Sequence, residues 1–215
     1  MILPEHEANR LLTGAGIPMI PLRVVNSADE ARKEAANLGY PVALKLSSAL
    51  HTHKTEVGGV MLSIRDDQQV EDAFRKLRAL QERLDPQAVL ILEPMAGAGA
   101  EFFVGFQRHR QFGPVLSFGL GGISLELFKD VAFRLLPAHA GDFLEMLAEL
   151  KSWPKMRSGF RHLPPVDEAR IIGLLEQVSA FVLNHPEIRE LDLNPVLLGS
   201  EDTTVLDATV ILEDP

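Results

Sequence analysis

The chain predicts a mixed α/β (α+β) fold in two lobes, and three observations carry that reading. Helical spacing alternates with short apolar runs over the first 95 residues, the small-residue segment Pro94-Met95-Ala96-Gly97-Ala98-Gly99 interrupts the alternation, and a strand-rich stretch with two helices follows and closes in a hairpin. Small, turn-forming residues mark a boundary or hinge, so residues 1–95 are taken as an N-terminal helix plus the first lobe and residues 96–215 as the second lobe with its C-terminal hairpin.

The elements follow in order. Glu5 to Ala15 has helical spacing. Ser27 with Glu30 three residues on makes a capping box for a helix whose Ala28, Ala31, Ala35 and Leu38 share a face, ended by Gly39 and Pro41. Val42 to Leu46 reads as a buried strand, Ser47 to Gly59 as loop and Val60 to Ile64 as strand. Val70, Phe74, Leu77 and Leu84 set a helix on a core before Pro86 stops it, and Val89 to Leu92 closes the lobe. Beyond the boundary, strands are expected over Glu101–Phe106, Val115–Phe118 and Val131–Leu136, and helices around Asp142–Leu150 and Asp167–Leu183.

Composition narrows the function classes. With 46% apolar residues among 215, the chain can bury a substantial core. Its 21 basic against 30 acidic residues give −9, which disfavours a nonspecific nucleic-acid binder. No cysteine is present, so disulfide and thiolate chemistry are excluded. Met1-Ile-Leu-Pro-Glu-His-Glu lacks the layout of a secretory signal and no apolar run approaches the roughly 20 residues that span a bilayer, so no membrane association and a cytoplasmic location are expected.

The most informative segment lies near the end. In Glu190-Leu191-Asp192-Leu193-Asn194-Pro195, strand alternation sets Asp192 and Asn194 on one face and the leucines on the other. If Gly199 to Thr203 turns about Ser200 and Glu201, Asn194 falls opposite Asp207 with Cβ atoms roughly 4.5–5.5 Å apart. Two hard oxygen ligands suit magnesium, which is commonly completed by waters and substrate phosphates. The competing reading is a polar hairpin whose carboxylates face water.

Upstream, Lys45 sits within the apolar run Pro41-Val42-Ala43-Leu44-Lys45-Leu46, where a cation needs an anion such as a phosphate, or must snorkel to the surface. In His51-Thr52-His53-Lys54-Thr55-Glu56-Val57-Gly58-Gly59, Gly58 and Gly59 can bring backbone amides to phosphate oxygens, Lys54 can add charge, and a histidine nitrogen can relay a phosphoryl group. A solvated loop has the same composition, and His51-x-His53 as a zinc pair lacks further ligands nearby. Gly121 and Gly122, in Phe118-Gly119-Leu120-Gly121-Gly122-Ile123, suggest a second phosphate-facing turn or a ligand-free connection. Glu101 can accept hydrogen bonds from ribose hydroxyls, or simply be exposed at a strand start.

Taken together, Gly39-Tyr40-Pro41-Val42-x-x-Lys45, His53-Lys54-Thr55-Glu56-x-Gly58-Gly59-Val60, Gln111-Phe112-Gly113-Pro114-Val115, Phe118–Ile123, Lys129-Asp130-Val131-x-Phe133-Arg134 and Glu190–Pro195 resemble the ATP-grasp subunit or domain of ADP-forming (NDP-forming) acyl-CoA synthetases. They are more distantly similar to the β subunit of succinyl-CoA synthetase. The resemblance runs from Glu5 to about Ile211. It implies an ATP-grasp fold whose two lobes clasp ATP or ADP, with Lys45 and Lys54 on the phosphates, Glu101 on the ribose, and Asn194 and Asp207 on Mg2+. It further implies an acid-thiol ligase component that interconverts acyl-CoA, ADP and phosphate with acid, CoA and ATP. His53 matches the family's second phosphate-relaying histidine and Asp192 the acid beside the phosphohistidine. CoA and the acyl group would belong to a CoA-binding partner subunit or domain, without which the component is expected to be inactive.

Two positions depart from the family pattern. Ala49 replaces a usual proline before the His-Lys pair, and Pro94 occupies the linker that normally hydrogen-bonds adenine, so a donor to the base falls to Met95 or Ala96. The alternative function is a regulatory, synthetase-like domain of a larger protein, such as a protein lysine acetyltransferase, that binds ligand without turnover.

Overall fold

The computed structural model describes residues 1–51, 54–122, 130–161, 163–199 and 202–213. They fall into two compact units, one of Leu3–Arg10 with Ile20–Ala96 and one of Met1–Ile2, Leu11–Met19 and Gly97–Pro215. The first helix, α1 (Glu5–Gly14), supplies its early turns to the former and its end to the latter. Among the described residues no helix is long and apolar enough to cross a membrane.

In the unit ending at Ala96, strands β1 (Arg23–Val25), β2 (Val42–Ser47), β3 (Val60–Ile64) and β4 (Val89–Pro94) form an antiparallel sheet in the order β1-β4-β2-β3. Helices α2 (Ala28–Leu38) and α3 (Asp67–Leu84) pack on one face. Strand alternation sends Val42, Leu44, Leu46, Leu90 and Leu92 to that face, where they meet Ala31, Ala35, Val70, Phe74 and Leu77. Burying each large apolar side chain contributes about 1.5–3 kcal/mol, which explains why the helices dock by these stripes. The other face receives Ala43, Lys45, Ser47, Ile91 and Glu93, and β2 is therefore covered on both sides. His6 on α1 reaches that second face, its Nδ1 lying 2.9 Å from Ser47 Oγ.

Local signals set the helix ends. Ser27 Oγ accepts from Glu30 N at 3.1 Å, but the Glu30 carboxylate reaches back to Asn26 N at 2.8 Å, one residue short of the reciprocal bond a capping box makes. Asp66 caps α3 by accepting from Gln69 N.

The other unit contains a six-stranded antiparallel sheet built from β5 (Ala100–His109), β6 (Gly113–Leu120), β7 (Val131–Leu135), β8 (Ile188–Leu198), β9 (Thr203–Val205) and β10 (Ala208–Leu212). Its order is β10-β8-β5-β6-β7, and β9 also pairs with β8. Helices α4 (Ala140–Glu149), α5 (Trp153–Ser158) and α6 (Glu168–Asn184) complete the unit. Phe102 and Phe118 stack in its core with centroids 5.2 Å apart, and Phe143, Leu175 and Val182 are fully buried. The N-terminal segments join this unit by backbone bonds: Met1 donates to Leu212 O, and Val205 N to Pro18 O.

The hairpin has the register read from the sequence. Val196 pairs with Val205, Leu198 with Thr203, Leu193 with Ala208 and Asp192 with Thr209, so both strand pairs keep one register and bring Asn194 and Asp207 level; Ser200 and Glu201, the expected turn centre, lie outside the described residues.

Candidate functional site

Lys45 projects from β2 with only 13% of its side chain exposed. A buried ammonium requires a counter-charge, and the structure supplies two: Glu93 Oε2 at 2.5 Å and Glu5 Oε1 at 3.4 Å. The other carboxylate oxygen of Glu5 pairs with Lys54 Nζ. Both acids are buried. Lys45 and Lys54, read from sequence as phosphate cations, are therefore already assembled around carboxylates. The snorkelling reading of Lys45 does not hold, because a nearby anion keeps the head group inside. Neither acid was singled out from the sequence. A signal existed for Glu93, a carboxylate inside the apolar run Val89–Pro94, matching the lone lysine inside Val42–Ser47.

The loop between β2 and β3 is rooted by Ser48 and Asp85, both buried. Ser48 Oγ donates to Asp85 Oδ2 at 2.5 Å and accepts from Leu50 N and His51 N at 3.0 and 3.3 Å. The Ser48 hydroxyl, with the amides of Gln87 and Ala88, holds the Asp85 carboxyl below the usual carboxylate range. At the far end, Gly59 N donates to Lys54 O at 2.8 Å and Gly58 N to Thr55 O at 3.1 Å. This differs from the expectation that Gly58 and Gly59 offer their amides to phosphate: both are consumed by the turn, which Gly58 permits with φ +73°. The pair shapes the return of the chain behind Lys54. His53 lies outside the described residues.

Met95 also differs from expectation. Its N–H donates to Pro41 O at 3.0 Å, extending the β2–β4 ladder, whereas Ala96, the other expected donor, is exposed.

At the larger sheet, Gly121 and Gly122 lie against Glu101, Gly122 also meets Asn194, and Asp207 lies beside Asn194 and acts electrostatically on Asp192. Gly122 N donates to Asn194 Oδ1 at 3.2 Å, and Gly121 N to Glu101 O at 2.9 Å. The amides of Gly121 and Gly122 are thus engaged within the protein instead of facing outward as expected. Gly122 has φ +56°, and a Cβ there would collide with Glu101 Oε2. Glycine is what lets the exposed Glu101 carboxylate lie along this turn. Asn194 N donates to Asp207 O at 3.1 Å, and Asp207 Oδ1 accepts from Ala208 N at 2.9 Å. Both side chains are half-buried.

Asp192 carries the unusual electrostatics. Desolvation by surrounding protein pushes its carboxyl up to about 6, and the Asp207 charge adds to the rise. Its side chain nevertheless keeps solvent access at an outward strand position, so the protein atoms crowd it on an open face instead of enclosing it. Among the described residues no three His, Cys, Asp or Glu side chains gather as a metal cage. Asn194 and Asp207 offer a hard oxygen pair, which fits a cation whose remaining ligands come from a phosphate chain and water.

The model of the ATP-grasp domain family matches residues 1–212. The chain is 37% identical over 213 residues to the beta subunit of acetate–CoA ligase (ADP-forming) I of Pyrococcus furiosus, covering 98% of this chain and 91% of that one. It is 38% identical over 205 residues to acetate–CoA ligase (ADP-forming) I of Archaeoglobus fulgidus, covering 94% of this chain and 30% of that longer protein. Dinucleotide-forming acetyl-coenzyme A synthetase 1 of Ca. Korarchaeum cryptofilum, solved with coenzyme A, Ca-AMPCP and HgCl+, superposes with TM-score 0.91 at 36% identity, covering 99% of this chain and 93% of that one. The same enzyme with coenzyme A and Mg-AMPPCP, its phosphohistidine segment pointing towards the nucleotide binding site, gives 0.84 at 35% identity over 97% and 92%.

Proposed function

The chain belongs to the ATP-grasp domain family, and from that premise we propose that it is the ATP-binding, phosphoryl-transferring component of an ADP-forming acyl-CoA synthetase. It interconverts acyl-CoA, ADP and phosphate with acid, CoA and ATP through a phosphohistidine, together with a CoA-binding subunit or domain. The observation that carries this reading is the near end-to-end similarity to an acetate–CoA ligase beta subunit, 98% of this chain against 91% of that one. The Archaeoglobus relative, of which the chain spans 30%, supports the expectation that the remaining functions reside on a partner. The regulatory alternative finds no support among these relatives.

In this scheme Lys45 and Lys54 bind and orient the phosphate chain, Glu101 takes the ribose hydroxyls and the Ala96 amide faces the base. Asn194 and Asp207 would hold Mg2+, which when bound neutralises charge on the phosphate oxygens. The His53 ring nitrogen bonds to the γ-phosphorus as the bond from phosphorus to the ADP oxygen breaks, leaving ADP and phosphohistidine. Asp192, ionised above pH about 6, accepts a hydrogen bond from the imidazole and stabilises its positive charge. Phosphoryl transfer asks the protein mainly for positioning and charge, and these residues supply both.

Reconstitution with the CoA-binding partner tests the proposal. Acetyl-CoA, ADP and phosphate should yield ATP, and His53→Ala should abolish that yield while leaving ATP affinity within about threefold of native, since the relay and the binding groups are separate. Undiminished ATP formation by His53→Ala would remove the relay from the account.

A further inference from the structure

We propose that Glu5, on the N-terminal helix, is a positioning residue for the phosphate-binding cations, coupling Lys45 on the sheet to Lys54 on the loop and presetting both for a polyphosphate. The inference rests on the nucleotide-binding reading above.

The geometry is a bridge. One carboxylate oxygen of Glu5 lies 3.4 Å from Lys45 Nζ and the other pairs with Lys54 Nζ, across separations of 40 and 49 residues. Three elements therefore meet at a single carboxylate: α1, β2 and the loop before β3. The participants are largely dehydrated, with side-chain exposure of 13% for Lys45, 11% for Lys54, 7% for Glu5 and 2% for Glu93. Two ammonium groups this deep are costly to hold together, and the carboxylates of Glu5 and Glu93 beside them offset that cost. Removing the Glu5 charge takes away the carboxylate that touches both ammonium groups, and Lys54, carried on the loop, is then no longer tied to the helix.

A bridging carboxylate could instead act as a competitor that occupies the lysines until phosphate displaces it. The arrangement favours positioning. An ammonium carries three donors, so one lysine can hold a carboxylate and a phosphate oxygen together. Glu5 is itself held by its helix, and the neighbouring His6 anchors that helix to β2 through Ser47, its N donating to Ser47 Oγ at 3.2 Å. The bridge is thus attached to a fixed frame, which suits a group that locates other residues.

The two ideas have opposite signs, and calorimetric titration with magnesium and a non-hydrolysable ATP analogue distinguishes them. Glu5→Gln is expected to weaken binding about tenfold in the native background but by less than about threefold when added to Lys54→Met, because residues that act through one another are not additive. Glu5→Asp keeps the charge and shortens the reach; it should fall between native and Glu5→Gln, and it decides alone if Glu5→Gln does not fold. Tighter or unchanged binding by Glu5→Gln, an equal loss in both backgrounds, or native affinity in Glu5→Asp where that variant decides alone would overturn the positioning role. Failure of the native chain to bind the analogue would instead remove the nucleotide reading, and this role with it.

Discussion

Asn194 and Asp207 stand opposite each other across the C-terminal hairpin, joined by a 3.1 Å bond from the Asn194 N–H to the Asp207 carbonyl. That bond ties the two backbones, so the Asn194 carboxamide and the Asp207 carboxylate start from neighbouring, half-buried positions. Asp207→Asn keeps the shape and removes the charge. It should weaken ATP binding at least about tenfold with magnesium present, about 1.4 kcal/mol, and much less without it. Calorimetry with and without the metal checks this, and the same small effect in both conditions would separate Asp207 from the cation.

Asp192 should titrate near 6 in the native protein, and Asp207→Asn should move it down without returning it to 3.8, because burial is the larger cause and remains. Carboxyl NMR shifts across a pH series report this directly. A folded-state value above the ordinary one means that protonated Asp192 favours the folded form. Its contribution is present below pH about 4, is lost as pH rises to about 6, and is constant beyond. Asp192→Asn should therefore flatten the stability profile in that window, by an amount reduced by the solvent access of the site.

Ser48→Ala should destabilise the unit that holds the loop by about 1–3 kcal/mol, since it strips a buried carboxylate of its hydroxyl donor and two amides of their acceptor. Urea unfolding at neutral pH measures it. The Asp85 carboxyl is held below its ordinary range, so the stabilisation from this contact is present above that range and lost as pH falls through the lowered value. A native midpoint for Ser48→Ala would show that the contact does not root the loop.

The residues themselves explain what was legible. The hairpin register was readable because strand alternation and a short turn leave few choices, and Val196 to Val205 and Leu193 to Ala208 pair as the turn demands. Helices α2 and α3 were readable from Ala31, Ala35, Val70, Phe74 and Leu77, which all reach one core. The Glu5 bridge was not, because partners 40 and 49 residues away leave no periodic trace. The glycine loops were legible as turns but not in detail: the amides of Gly58, Gly59, Gly121 and Gly122 were expected to serve a ligand and instead close bonds within the protein.

Gly122→Ala should weaken nucleotide binding more than stability, because a methyl group there collides with the Glu101 carboxylate and sits at φ +56°. The expected loss is about tenfold in affinity, with unfolding shifted by about 1–2 kcal/mol for a left-handed alanine. Native affinity in Gly122→Ala would free Glu101 from the ribose.

Phosphoryl transfer from ATP to the chain is measured most directly by incubating the protein, reconstituted with its CoA-binding partner, with γ-labelled ATP and magnesium. Label should appear as acid-labile phosphate on His53, return to ADP on chase, and be absent in His53→Ala. Native protein that binds ATP yet acquires no histidine-linked label, or His53→Ala that acquires as much as native, would contradict it.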